Sequence, residues 1–155
     1  MVIGIYNALT IHDQEQVWME LLNFLHKIGD LHVLLIDDFN QVRKPTDKRP
    51  VSANVNGMDL FNKFINNAYL IEIGLQGNLF TWRNSISNSR IDRAFISNAW
   101  LVQYTFLHLL SLTRGPSDHN PLWLSNMNSR MGPKPFHFLD YWWDYPGFNK
   151  VIENF

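Results

Sequence analysis

Over residues 13–28, Val17, Leu21, Phe24, Leu25 and Ile28 recur at helical spacing, with Asp13 placed as a cap, Glu15 in the first turn and Gly29 as a stop. That pattern predicts an amphipathic helix. Residues 31–36 then form a short, mainly apolar run of the kind a buried strand shows, and it ends directly in Asp37, Asp38 and Asn40. Residues 41–56 have no periodicity and carry Arg43, Lys44, Lys48 and Arg49 among prolines, which predicts an exposed loop with a basic tilt. Met58, Phe61, Phe64, Ile65 and Ala68 share a second helical face. Beyond it, residues 69–73, 78–82, 90–96, 105–112 and 122–124 read as strands. They are separated by Gly74, Gly77, an Asn/Ser-rich segment at 84–89, a helical turn at 97–102 and a polar loop holding Ser117 to Asn120.

The character changes after residue 125. Turn formers crowd residues 126–135, and Tyr141, Trp142, Trp143, Tyr145 and Phe148 follow in close succession. The expected organisation is one domain over residues 1–125 and an aromatic-rich connector tail over 126–155.

Composition narrows the function classes. A chain of 155 residues with 46% hydrophobic and 17% charged side chains is ordinary globular material, large enough for one substantial core. Its 13 Lys and Arg against 14 Asp and Glu lack the basic balance of a protein that coats nucleic acid, so any such contact must be local. The absence of cysteine excludes disulfides, thiolate zinc sites and cysteine nucleophiles. No apolar stretch approaches the roughly 20 residues of a membrane span, and the N-terminus is too short in apolar residues for a signal peptide. A soluble, intracellular protein without membrane contact is expected.

Chemistry-bearing groups gather at three points: Asp37, Asp38 and Asn40 after one strand, Asp92 inside another, and Asp118 with His119 before a third. All are oxygen or imidazole groups, a set that suits a hard cation such as Mg²⁺ and acid/base work on a phosphate ester. Taken singly, each has a structural reading. Asp and Asn after a strand form turns, Asp92 can pair with Arg90 or Arg93 on an exposed strand, and the segment following Gly115 and Pro116 can be a surface turn.

Their joint order carries more. Asp37-Asp38-Phe39-Asn40 after an apolar strand resembles the Gly-Asp-Phe/Leu-Asn motif of the endonuclease/exonuclease/phosphatase superfamily, and Ser117-Asp118-His119-Asn120-Pro121-Leu122 resembles its Ser-Asp-His-x-Pro-[Ile/Leu] terminus. Between them, Gly77-Asn78-Leu79-Phe80-Thr81-Trp82 and Ser89-Arg90-Ile91-Asp92-Arg93-Ala94-Phe95-Ile96-Ser97 are similar to signatures of the branch found in plant LINE-type (non-LTR) retroelements. The resemblance covers Tyr6 to about Leu124, and the tail resembles the connector that follows this domain before a reverse transcriptase. The implied fold is α+β, a partial two-layer β-sandwich flanked by helices that lacks the family's N-terminal strands.

The resemblance also implies roles. Asp38 orients or deprotonates the attacking water, and Asn40 holds that water and the phosphate oxygens. His119 contacts the scissile phosphate and is oriented by Asp92. Asp118 lies where the family places a carboxylate near the metal, and Tyr6 resembles a phosphate-binding tyrosine, although Ala8 and Leu9 stand where that motif has Pro and Asn. Asp37 replaces the tetrad's glycine, which crowds the site or supplies a compensating metal ligand. The family's principal Glu ligand has no counterpart in this chain.

The reading that follows is a Mg²⁺- or Mn²⁺-dependent phosphodiesterase of the DNA endonuclease type, derived from a retroelement, with activity at risk from truncation. A silent relic that binds nucleic acid or protein is the alternative of a different class, and a phosphatase or other phosphodiesterase of the same fold is the rival within it. DNA is the implied partner, and exposed sheet edges imply self-association. A DNA substrate points to the nucleus, without a basic targeting cluster to support it.

Overall fold

The computed structural model describes residues 1–29, 31–52 and 54–126. The tail expected over 126–155 lies outside the described residues except for Asn126. Among the described residues ten strands and three α-helices follow one another, with a 3-10 turn at Pro45–Asp47: β1 (Val2–Tyr6), α1 (Ile11–Ile28), β2 (Leu34–Asp38), β3 (Lys48–Arg49), α2 (Val55–Asn67), β4 (Ile71–Glu72), β5 (Leu75–Gly77), β6 (Trp82–Arg83), β7 (Asn88–Ser89), β8 (Asp92–Ile96), α3 (Asn98–Gln103), β9 (Leu107–Ser111) and β10 (Leu122–Asn126).

The central sheet has the order β1-β2-β8-β4, with β1 parallel to β2 and the other pairs antiparallel. One face carries Ile5, Leu35 and Phe95, which pack with Trp18 and Leu25 of α1 and with Phe61, Phe64 and Ile65 of α2. Alternate residues of the same strands, Leu34, Ala94 and Ile96, face the other way and meet Leu109 of β9 and Leu122 and Leu124 of β10. That second sheet has the order β10-β9-β5. A third, narrow ribbon, β3-β7-β6, stands at one end. The expected α+β architecture of partial sandwich and helices is therefore the one adopted, with open sheets.

Several boundaries moved, each for a physical reason. Helix α1 is capped by Thr10, whose Oγ1 accepts from the Asp13 amide at 3.3 Å while donating to the Asp13 carboxylate at 2.6 Å. Asp13 thus sits in the first turn. Strand β2 begins later than the apolar run and takes in both aspartates. Residues 78–82 do not form one strand: Leu79 is exposed and Thr81 is buried, residues 78–81 connect β5 to β6, and only Trp82 enters a strand. Gly77 ends β5 at φ 85°, and a Cβ there would lie 2.7 Å from the Ser111 carbonyl oxygen. The predicted basic loop proves only partly exposed, because Arg43 and Asp47 fold into a charge network under α2.

Candidate active site

Pairing across the central sheet sets the site. Tyr6, Asp38 and Asp92 are direct partners at the same end of β1, β2 and β8. Asp38 and Asp92 continue the face that carries Leu34, Ala94 and Ile96, so they lie where the inter-sheet core ends and polar groups take over. Both are buried, at 5% and 2% exposure.

The tetrad turns on an aromatic. Phe39 is fully buried, stacked on Trp18 at 6.0 Å and edge-on to Phe95 at 5.0 Å, and its amide donates to the Ile91 carbonyl at 3.0 Å. Anchoring Phe39 in the core fixes its neighbours. Asp38 Oδ1 accepts from the Asn40 amide at 2.8 Å, which leaves Oδ2 for a ligand. Asn40 adopts φ 51°, a left-handed conformation that asparagine tolerates, and its Nδ2 donates to the Asn7 carbonyl at 3.0 Å.

Asp37 stands at φ 105°, a conformation that favours glycine. A carboxylate side chain therefore stands where the backbone geometry suits a residue without a Cβ. Asp37 is exposed and does not line the pocket formed by the others, yet its carboxyl is raised above the usual range by partial burial and by the charge of Asp92, with His119 opposing. Burial likewise raises the Asp38 carboxyl, opposed chiefly by the hydrogen bond from Asn40. These carboxylates repel one another around one imidazole.

That imidazole is His119. Its Nδ1 lies 2.9 Å and 3.1 Å from the two oxygens of Asp92. A carboxylate can only accept, so Nδ1 carries the proton and Nε2 is the ring nitrogen left for a ligand. Asp92 is therefore partnered by His119, and the exposed pairing with Arg90 or Arg93 that its strand pattern allowed is not adopted. Thr81 Oγ1 supports the strand by accepting from the Ile91 and Asp92 amides at 3.2 and 3.0 Å. A bridge between Trp82 and His119 holds the histidine loop against the ribbon.

Asp118 is exposed, and its Oδ2 accepts from the Trp82 indole at 2.8 Å. That hydrogen bond is the main cause holding its carboxyl below the usual range. Tyr6 is 88% exposed, so it is a surface tyrosine and not a core one. Tyr6, Asp38, Asn40, Asp118 and His119 share the walls of one pocket of about 460 Å³ with Lys48. Asp92 lies beneath it.

Among the described residues no group of three His, Cys, Asp or Glu side chains is arranged to hold an ion. The oxygen donors facing the pocket, from Asp118, Asp38 and Asn40, are nevertheless the type a hard cation uses when it keeps several waters and bridges to a substrate phosphate.

Sequence reasoning missed the polar groups underneath. Asn7 is buried and its Nδ2 donates to the Phe39 carbonyl at 3.1 Å. Gln14 of α1 donates to the carbonyls of Ala8 and Asn40 and accepts from Gln41. The signal for Gln14 was a polar residue on the apolar face of a helix, one turn before Trp18.

No family model and no curated protein matches the sequence. The fold does match solved structures. The endonuclease domain of TRAS1, a telomere-specific non-LTR retrotransposon, superposes with a TM-score of 0.56 at 17% identity, over 75% of this chain and 52% of that one. A beta toxin from Staphylococcus aureus gives 0.58 at 18%, over 81% and 52%. An endonuclease/exonuclease/phosphatase family protein from Bacteroides thetaiotaomicron gives 0.51 at 17%, over 78% and 46%. The chain spans about half the length of these structures, and the likeness shows a shared fold.

Proposed function

We propose that the chain is a phosphodiesterase of the DNA endonuclease type, and the Asp92–His119 pair at the edge of a pocket walled by Asp38 and Asn40 is the observation that carries this reading. In this scheme His119, held by Asp92, presents Nε2 to the scissile phosphate and meets the charge that builds on its non-bridging oxygens. Asp38 takes the proton of the attacking water through its uncommitted Oδ2, and Asn40 holds water and phosphate through its remaining amide hydrogen and oxygen. Tyr6 donates to the phosphate from the rim. Asp118, with the Asp38 and Asn40 oxygens that face the same pocket, would hold Mg²⁺ or Mn²⁺, which supplies Lewis-acid charge at the phosphate when bound; Asp37 does not line that pocket and lies outside the ligand set. Lys48 adds a cation to the same pocket.

The hydrolase reading is supported by the fold shared with the TRAS1 endonuclease domain, and among the described residues no helix is long and apolar enough to cross a membrane. A DNA substrate implies a nuclear location. Self-association would run through the edge strand β1, whose Val2 is 61% exposed, and a concentration-dependent sizing profile would show it.

The test is nicking of supercoiled plasmid with Mg²⁺, beside EDTA and a His119→Ala variant. Cleavage that requires the metal and falls by about 10²–10³ in the variant is expected. Plasmid binding by a folded sample without cleavage would sink the enzymatic reading in favour of a binding module, and hydrolysis of monoesters alone would favour a phosphatase.

A further inference from the structure

The ribbon β3-β7-β6 has two faces, and only one belongs to the pocket described above. Lys48, Ser89 and Trp82 are paired across the three strands and line that pocket. Their neighbours Arg49, Asn88 and Arg83 form the adjacent paired row, and all three line a separate groove of about 700 Å³. Successive residues of a strand face opposite sides, so one narrow ribbon presents one row to each cavity. The histidine loop divides in the same way: His119 lines the pocket and Asn120 the groove.

The groove is basic. Arg49, Arg83 and Arg114 line it together, with Asn78, Asn88 and Asn120, and no Asp or Glu is among its lining residues. The three arginines make no ion pair among the described residues, whereas Arg43, Arg90 and Arg93 are all paired with acids. They are nevertheless placed. The Arg49 guanidinium lies over the Phe80 ring at 5.4 Å, and Arg114 Nη1 donates to the Arg83 carbonyl at 3.1 Å. In a chain of net charge −1 this is a local excess of positive charge, built from the side chain best suited to phosphate oxygens.

We propose that this groove binds the phosphodiester backbone of a polynucleotide, gripping the flank of the same molecule whose scissile bond enters the candidate active pocket. The inference rests on the nucleic-acid reading given above. A polymer with a charge at every repeat can occupy both faces of so narrow a ribbon, whereas a small phosphate ester would fill one cavity and leave the other empty. The contacts are to backbone charge, so they position the substrate without reading its bases.

The experiment is equilibrium binding of a fluorescent DNA duplex of about 20 base pairs to the whole chain, with EDTA present, across about 50–200 mM salt. Replacing the three arginines by glutamine (R49Q, R83Q and R114Q together) is expected to flatten the dependence of log Kobs on log salt by about 0.9 for each phosphate that is no longer neutralised, up to ~2.7. Replacement by lysine should restore most of that slope, which separates charge from any change in folding. An unchanged slope in the glutamine variant, or a slope that lysine does not restore, would overturn the proposal. So would a glutamine variant that loses only its binding of inorganic phosphate, since the groove would then be a small-anion site. The readout is binding without turnover, so failure of the nicking assay leaves this result standing, and a flat salt response leaves the nicking result standing.

Discussion

Asp92 and Arg93 are neighbours on β8 and serve opposite ends. Asp92 joins Asp37, Asp38 and His119, where acids outnumber cations beside an open pocket. Arg93 points to the helix face, where its guanidinium donates to Asp47 and Glu72, each at 2.6 Å, with Arg43 and Arg90 completing the Glu72 contacts. Burial would raise the Glu72 carboxyl, but Arg93, Arg43 and Arg90 overcome it and hold it below the usual range. One cluster sets three guanidinium groups against two carboxylates, every one of them in a direct ion pair, and lines neither the candidate pocket nor the basic groove. The other keeps an excess of like charge at an open pocket, a pattern that suits binding and chemistry more than support.

The sharpest way to break the comparison is Arg93→Met. Removing the central cation leaves Asp47 unpaired in the core, and a loss of about 3–5 kcal/mol in urea denaturation is expected. A loss under ~1 kcal/mol would mean that the closed network is incidental to the fold.

Glu72→Gln should cost about 1.5–3 kcal/mol at neutral pH by weakening charge-assisted hydrogen bonds. The sign of its pH dependence follows from the depressed folded value. The wild-type advantage is complete above the carboxyl's unfolded range and is lost as pH falls through the folded value, so the two denaturation midpoints should converge in acid. Asp37 and Asp38 run the other way. Their folded values are raised, so they favour the folded state increasingly as pH falls from those values towards the unfolded range. Midpoints that stay parallel down to acid would remove Glu72 from the account.

The smallest effect sharpens the open side. Asp37→Gly relieves a non-glycine residue at φ 105° and removes a repelling charge, and a gain of about 1 kcal/mol is expected from thermal or urea denaturation. A destabilised variant would show that Asp37 makes a compensating contact.

Much of the site was legible because its signals are local. A strand running into Asp-Asp-Phe-Asn and a loop reading Ser-Asp-His-Asn keep their meaning without knowledge of their neighbours; pairing of β2 with β8 sets Asp38 beside Asp92, and the contact of Asp92 with His119 draws in the loop. What escaped depends on distant partners. Nothing beside Arg43 announces Glu72, so a residue of the charge network looked like part of a basic loop. Asp13 looked like a cap because the apolar period begins there, although Thr10 offers the hydroxyl three residues earlier. The apolar residues of 78–82 looked like a strand, yet Leu79 faces outward and Thr81 turns its hydroxyl to β8.

Phe39 couples placement of the site to the time scale of its motions. The aromatic at the centre of the tetrad belongs to the same buried cluster as Trp18, Phe61 and Phe95, and its amide is bonded to Ile91, just ahead of β8. Asp38 and Asn40 therefore cannot swing aside as a surface loop would, because moving them requires pulling a ring out of the core. Hydrogen exchange at the Phe39 amide should proceed only through global unfolding, making the loop that holds the proposed base among the slowest parts of the molecule to open.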